Sequence, residues 1–201
     1  MELGDFGRRS PALTSDGVSV YDALTRQFLR AMLTSLAGPG LVLGVEAEPG
    51  WVDVLPETVA LSFARSTGEL GREFGEATVD WVVLDRWLQQ LPDPALGLEE
   101  IVGRLKPGAL LVSLFTGIAR PELDDLGPLW SVAPYGARRL HEERSGLEHI
   151  EVQQYGNVAL ALAWLYRLPA DGLTDEELTT VDPAYPVLVA VTATKRGGND
   201  E

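Results

Sequence analysis

Two histidines and no cysteine leave this chain few ways to do side-chain chemistry. Disulfides, thiolate metal sites and a cysteine nucleophile are excluded. His141 and His149 offer too few ligands for a zinc site at any familiar spacing. No G-x-S-x-G turn follows an apolar run, and neither a phosphate-binding G-x-x-x-x-G-K-[ST] loop nor an intact G-x-G-x-x-G is present. What remains is Asp85, a carboxylate closing the apolar run Val79 to Leu84, and His141 among Arg138, Arg139 and Arg144. Asp85 is the first candidate base, because ligands of open α/β sheets bind outside the carboxyl ends of central strands. His141 is the second. Each also has a plain structural reading, Asp85 as a surface or capping residue beside Arg86 and His141 as part of a solvated helix. The basic cluster reads either as a solvated face paired with Glu142 and Glu143 or as an anion-binding patch.

The elements that must hold these residues are best defined between Val79 and Phe115. Val79 to Leu84 reads as a strand buried on both faces. Asp93 offers a helix cap and Pro94 suits a first turn. Leu96, Ile101, Val102 and Leu105 fall on one helical face, and Lys106-Pro107-Gly108 ends the helix before a second buried strand, Ala109 to Phe115. Strand, helix and strand at this spacing make a right-handed βαβ unit. Upstream, Tyr21, Leu24, Phe28 and Leu29 form an apolar helical stripe that packs on the sheet or, alternatively, covers a ligand pocket. Leu41 to Val45 and Thr58 to Phe63 are the first two strands, joined by a connection too short for a full helix at Trp51 to Leu55. Downstream, Tyr135 to Arg144 reads as a helix, Leu147 to Tyr155 as a strand and Val158 to Leu168 as a helix. Thr174 with Glu177 forms a capping box, and Val187 to Thr194 closes the sheet. Trp130 and Tyr135 either line a pocket or sit half-buried under a loop. The expected organisation is a flexible lead-in over residues 1–17, one α/β domain over 18–195 and a polar tail over 196–201.

Thirty acidic residues against 16 basic give a net charge of −14, which opposes unassisted binding to nucleic acid or anionic membrane. No apolar run is long enough to span a bilayer. A cytoplasmic protein with small-molecule or protein partners is the expectation.

Asp80-Trp81-Val82-Val83-Leu84, then Leu91-Pro92-Asp93-Pro94, then Arg104-Leu105-Lys106-Pro107-Gly108, resembles the fourth-strand to fifth-strand segment of class I S-adenosylmethionine-dependent methyltransferases. Val152 to Asn157 (VQQYGN) and Val181-Asp182-Pro183-Ala184-Tyr185-Pro186 are similar to the end of a bacterial type 11 subgroup. The resemblance runs from about Leu41 to Lys195. It implies a Rossmann-like, mostly parallel sheet with an antiparallel C-terminal strand, reduced in its first half.

The resemblance also assigns cofactor positions. The family places an acidic residue and then G-x-G-x-G after the first strand; here Gly44 stands at the acid, Glu46 and Glu48 at the first two glycines, and only Pro49-Gly50 is kept. The second strand lacks the acid that holds the ribose hydroxyls, leaving Ser62 or Ser66 to donate one hydrogen bond. Glu69, with Leu70 and Phe74, echoes the residues that flank the adenine. Weak or absent binding of S-adenosylmethionine is therefore expected. The reading is a non-catalytic or cofactor-impaired homologue acting through protein interaction, as a homodimer or with a partner, Trp51, Phe63 and Trp87 being the contact residues. The alternative is an active small-molecule methyltransferase with an atypical loop.

Overall fold

The computed structural model describes residues 17–32, 35–44, 50–55, 79–119, 128–144 and 146–197, together with the backbone of 60–62. In chain order these residues form α1 (Val20–Met32), β1 (Gly40–Gly44), a 3-10 turn (Val52–Val54), β2 (Ala60–Ser62) and β3 (Val79–Asp85). A second 3-10 turn (Trp87–Gln90) leads to α2 (Pro94–Arg104), β4 (Leu105–Thr116) and α3 (Pro134–Arg144). The chain then runs through β5 (Leu147–Tyr155), α4 (Val158–Leu165), α5 (Asp175–Thr179) and β6 (Leu188–Lys195). The strands make one sheet in the order β2-β1-β3-β4-β6-β5. β1 through β4 are parallel, and β6 runs antiparallel between β4 and β5. The mostly parallel α/β sheet with a closing antiparallel strand is thus observed.

Side chains alternate across the sheet, as a period of two requires. Val42, Trp81, Val83, Val112, Leu114 and Leu188 pack on one face with Tyr21, Leu24, Phe28 and Leu29 of α1 and Leu160 and Trp164 of α4. Leu43, Val82, Leu84, Leu111, Phe115 and Val191 pack on the other with Ile101 and Val102 of α2 and Ala137 of α3. The central strands are covered on both sides, which is why they read as unbroken apolar runs.

Local chemistry explains the element ends. The Asp93 carboxylate accepts from the backbone N–H groups of Ala95 and Leu96, both at 3.0 Å, with Pro94 at the first turn. Asn157 caps α4 by accepting from Leu160 N. Its amide donates to the carbonyls of Glu177 and Thr180, tying α5 to the start of α4. Thr174 and Glu177 form the expected reciprocal box. Gly156 adopts φ +137° where a Cβ would stand 2.6 Å from Val187 N, so glycine is required there.

Three expectations are corrected. Leu96 lies outward, because α2 seats Gly97 and Leu98 with Ile101 and Val102, Gly97 letting Leu91 and Trp87 approach the helix. Residues 106–108 do not separate helix from strand. β4 starts directly at Leu105, with irregular pairing between Val79 and Trp81, and Lys106 binds Asp80 at 2.7 Å. Trp51 and Trp87 are not contact residues on a thin sheet face. Both are fully buried, in the two opposite core layers, and Phe63 lies outside the described residues.

Gly40 lies directly against the Trp81 ring, on the face of the sheet where a Cβ would enter that ring. Gly40→Ala should therefore lower unfolding stability by about 3 kcal/mol, the upper part of the usual overpacking range. Urea denaturation measures this, and a loss below about 0.5 kcal/mol would mean that Trp81 is free to move.

Candidate functional site

β1 is flanked by β2 on one side and β3 on the other, so the strand order reverses between β1 and β3. Open α/β sheets bind ligands at the carboxyl ends of strands at such a point. Gly44 ends β1 and pairs with Asp85, which ends β3. Ser62 ends β2 beside Leu43. The two expected strand-end positions and the lone candidate donor strand thus converge on one edge of the sheet. Glu46, Glu48 and Glu69 lie outside the described residues.

Asp85 is neither a surface residue nor a helix cap. It is fully buried. Tyr21, reaching down from α1, donates its hydroxyl to Asp85 Oδ1 at 2.6 Å. Arg86 approaches both carboxylate oxygens at 3.4 Å, and its guanidinium carbon lies 4.7 Å from the centre of the Tyr21 ring. Trp164 stands beside that ring, centroid to centroid 5.9 Å, with the planes tilted by 40°. Burial first, and then the Asp85 charge, push the Tyr21 phenol well above its ordinary pKa, so it is a hydrogen-bond donor at any physiological pH.

Arg86 is placed by strain. Its φ of 54° is left-handed, unusual for a residue with a Cβ. Its N–H donates to Leu114 O at 2.9 Å and its carbonyl accepts from Gln89 N at 3.1 Å, fixing this conformation. Backbone strain of this kind costs about 1–3 kcal/mol and gathers at functional sites.

Gly50, the family glycine that this chain keeps, is held from the same helix. Its carbonyl accepts from Arg26 Nε at 2.7 Å, and Arg26 also pairs with Asp53 at 3.0 Å. A Cβ on Gly50 would stand 2.9 Å from Asp22 Oδ2. Gly50 therefore meets α1 where backbone exposure to a cofactor is expected.

Gln89 braces the neighbouring strand end. Its side-chain oxygen accepts from Thr116 N at 2.8 Å, and its amide donates to Trp130 O at 2.7 Å and Thr116 O at 3.2 Å. Leu129 N adds a bond to its backbone carbonyl at 2.8 Å. Trp130 itself donates to Leu91 O, its ring half exposed, and Tyr135 is exposed.

His141 lies on the opposite face of the sheet, apart from Asp85. It packs edge-on against Phe115 and is buried, with Nδ1 2.8 Å from Ala137 O and Nε2 2.9 Å from Ser113 Oγ. Facing a carbonyl, Nδ1 must carry the proton, so Nε2 accepts from the serine. The solvated-helix reading holds for Arg138 and Arg139, which pair with Glu142 and Glu143, but not for His141. Burial lowers its pKa from 6.5 to about 4, the Ala137 carbonyl opposing. With the folded value below the unfolded one, the unfolded state binds more protons, so stability falls as pH drops from about 6.5 towards 4 and is unaffected above that window. The full difference is about 3 kcal/mol. Urea midpoints for native chain and His141→Gln should diverge in slope across pH 6.5 to 4; parallel profiles would contradict the buried neutral ring.

The sheet order, with an antiparallel strand inserted next to the edge, and its superposition on solved structures together decide the architecture. A methyltransferase of Archaeoglobus fulgidus, described as S-adenosylmethionine-dependent, matches with TM-score 0.54 at 12% identity, over 87% of this chain and 94% of that one. Phosphoethanolamine N-methyltransferase 2 of Haemonchus contortus, solved with S-adenosyl-L-methionine, matches with TM-score 0.55 at 15% identity, over 98% of this chain and 60% of that one. The chain has the class I S-adenosylmethionine-dependent methyltransferase fold. In sequence, the demethylmenaquinone methyltransferase of Lactiplantibacillus plantarum is 30% identical over 106 residues, 50% of this chain and 44% of that protein, so the match spans less than half of the curated relative. No protein-family model matches.

In this methyltransferase fold the crevice outside β1 and β3 is the expected seat of the cofactor. Asp85 is already bonded to Tyr21 and Arg86, and Gly50 faces Asp22. The apolar run singled out Asp85 and the resemblance Gly50, but neither revealed Tyr21 as the partner of Asp85 or Arg26 as that of Gly50. The one available signal was the apolar stripe of α1, which marks a covering helix without saying what it covers. Among the described residues no group of acids and histidines could hold a metal ion, and no helix is long and apolar enough to cross a membrane.

Proposed function

We propose that this chain is a cofactor-impaired member of the methyltransferase fold, whose crevice is closed by its own first helix and which acts through contact with another protein. The observation that carries this reading is the buried Tyr21–Asp85 hydrogen bond, at the strand end where a ligand would sit. The sequence after Gly44 supports it, because Glu46 and Glu48 stand where the family resemblance expects backbone-exposing glycines and the second strand carries no acid. An interaction role is supported by exposed apolar side chains. Val158, Val181 and Tyr185 are exposed on segments that the Asn157–Thr180 and Asp182–Gly156 hydrogen bonds join. Clustered apolar exposure is what protein contacts use.

The second reading is an active S-adenosylmethionine-dependent small-molecule methyltransferase in which α1 is a lid. The Haemonchus protein, solved with that cofactor on the same fold, favours it. In this reading the cofactor supplies an electrophilic methyl group. Glu46, Glu48 and Gly50 would border it, and Asp85, released from Tyr21, would accept a proton from or orient the acceptor.

Equilibrium dialysis against labelled S-adenosylmethionine separates the two. The first reading expects no retention at micromolar cofactor, and saturable stoichiometric retention would establish the second. Sedimentation velocity tests the interaction role. A self-associating or partner-bound species is expected, whereas a monomer at high concentration that recovers no partner opposes it.

A further inference from the structure

Tyr21 does more than fill space at the end of β3. Its hydroxyl is on a fully buried carboxylate, its ring face lies under a guanidinium, and an indole stands beside it. One helical turn further on, Thr25 is also buried. A buried tyrosine hydroxyl needs a hydrogen-bond partner, and here that partner is a carboxylate with no exposure to water. The Tyr21 phenol stays protonated in this setting, so the group accepted is a neutral hydroxyl donor on an aromatic ring. The position matters as well. The contact lies at the reversal point of the sheet, where a ligand of this fold binds, and Arg86 is held there in a left-handed backbone.

We propose that the crevice formed by Asp85, Arg86 and Trp164 is a recognition site for a phenol, of which Tyr21 is the resident occupant. A small hydroxylated aromatic ring is the class of ligand that takes its place when α1 lifts. Three contacts would select it. The Asp85 carboxylate accepts the hydroxyl, Arg86 covers the ring face as a cation–π partner, and Trp164 stands beside the ring. The inference does not depend on whether S-adenosylmethionine binds, since each contact comes from described side chains on the helix-covered face of the sheet.

Tyr21→Ala empties the site, and 4-methylphenol, the tyrosine side chain itself, is the probe. It should raise the melting temperature of Tyr21→Ala and leave the native chain unchanged. Toluene, the same shape without the hydroxyl, should bind at least about tenfold more weakly, the least that a hydrogen bond to a charged acceptor contributes. Asp85→Ala combined with Tyr21→Ala should erase that preference. Tyr21→Phe keeps the ring in place and should not respond to either probe. If Tyr21→Ala does not fold alone, refolding in 4-methylphenol should restore it. Equal affinity for toluene would reduce the site to an apolar cavity, and an absent response, in melting or refolding, would overturn the proposal. Neither outcome bears on cofactor binding, which dialysis reads separately.

Discussion

Replacing Tyr21 by phenylalanine lowers unfolding stability at pH 7 by about 2–4 kcal/mol, although only one oxygen is removed. The ring, its contact with Trp164 and its place beneath Arg86 are unchanged in that variant. What is lost is a 2.6 Å bond to a carboxylate with no exposure to water, leaving it Arg86 at 3.4 Å. A hydrogen bond to a charged acceptor contributes roughly 1.5–3 kcal/mol, and stranding a buried anion adds to the loss. Urea denaturation of native, Tyr21→Phe, Asp85→Leu and the double variant forms a cycle. The coupling should be at least about 1.5 kcal/mol, and single losses that simply add would mean that the two groups do not interact.

Gln89→Leu should be costlier still, about 3–5 kcal/mol, because it breaks several bonds while leaving their partners buried. Thr116 N and Oγ1 lose the acceptor they share, and the Thr116 and Trp130 carbonyls lose their donor. Leucine is close in size, so the loss is polar in origin rather than a cavity. Since Gln89 binds the end of β4 to the segment at 129–130, amide exchange should accelerate first at Thr116 and Leu129. An unaltered urea midpoint would show that this brace is replaceable.

Much of the scaffold is legible because its signals are local. The Asp93 cap, the Thr174–Glu177 box and the apolar runs of β3, β4 and β6 each act within a few residues. The misread details are those in which distant partners override local pattern. Leu96 satisfies helical spacing, yet α2 is rolled to admit Leu91 and Trp87 against Gly97. Trp51 sits in a segment too short for a helix and reads as exposed, but α1 covers it. His141 lies among arginines and glutamates that suggest solvent, yet one helical face points it at Ser113. Asp85 is the clearest case. Its position at a strand end is visible from the apolar run before it, whereas its burial depends on Tyr21, 64 residues away in sequence. No periodicity within either segment encodes that meeting.

The measurement closest to the central claim is a thermal shift with S-adenosylmethionine on the native chain and on Glu46→Gly combined with Glu48→Gly. A ligand at about a hundred times its dissociation constant stabilises a fold by roughly 2.7 kcal/mol, which a melting curve resolves easily. The native chain should show no shift at millimolar cofactor, and the double variant should gain one when Tyr21→Ala is added to open the crevice. A clear shift of the native chain at micromolar cofactor would contradict the account, and would make α1 a lid over a working site with Asp85 as the first residue to replace.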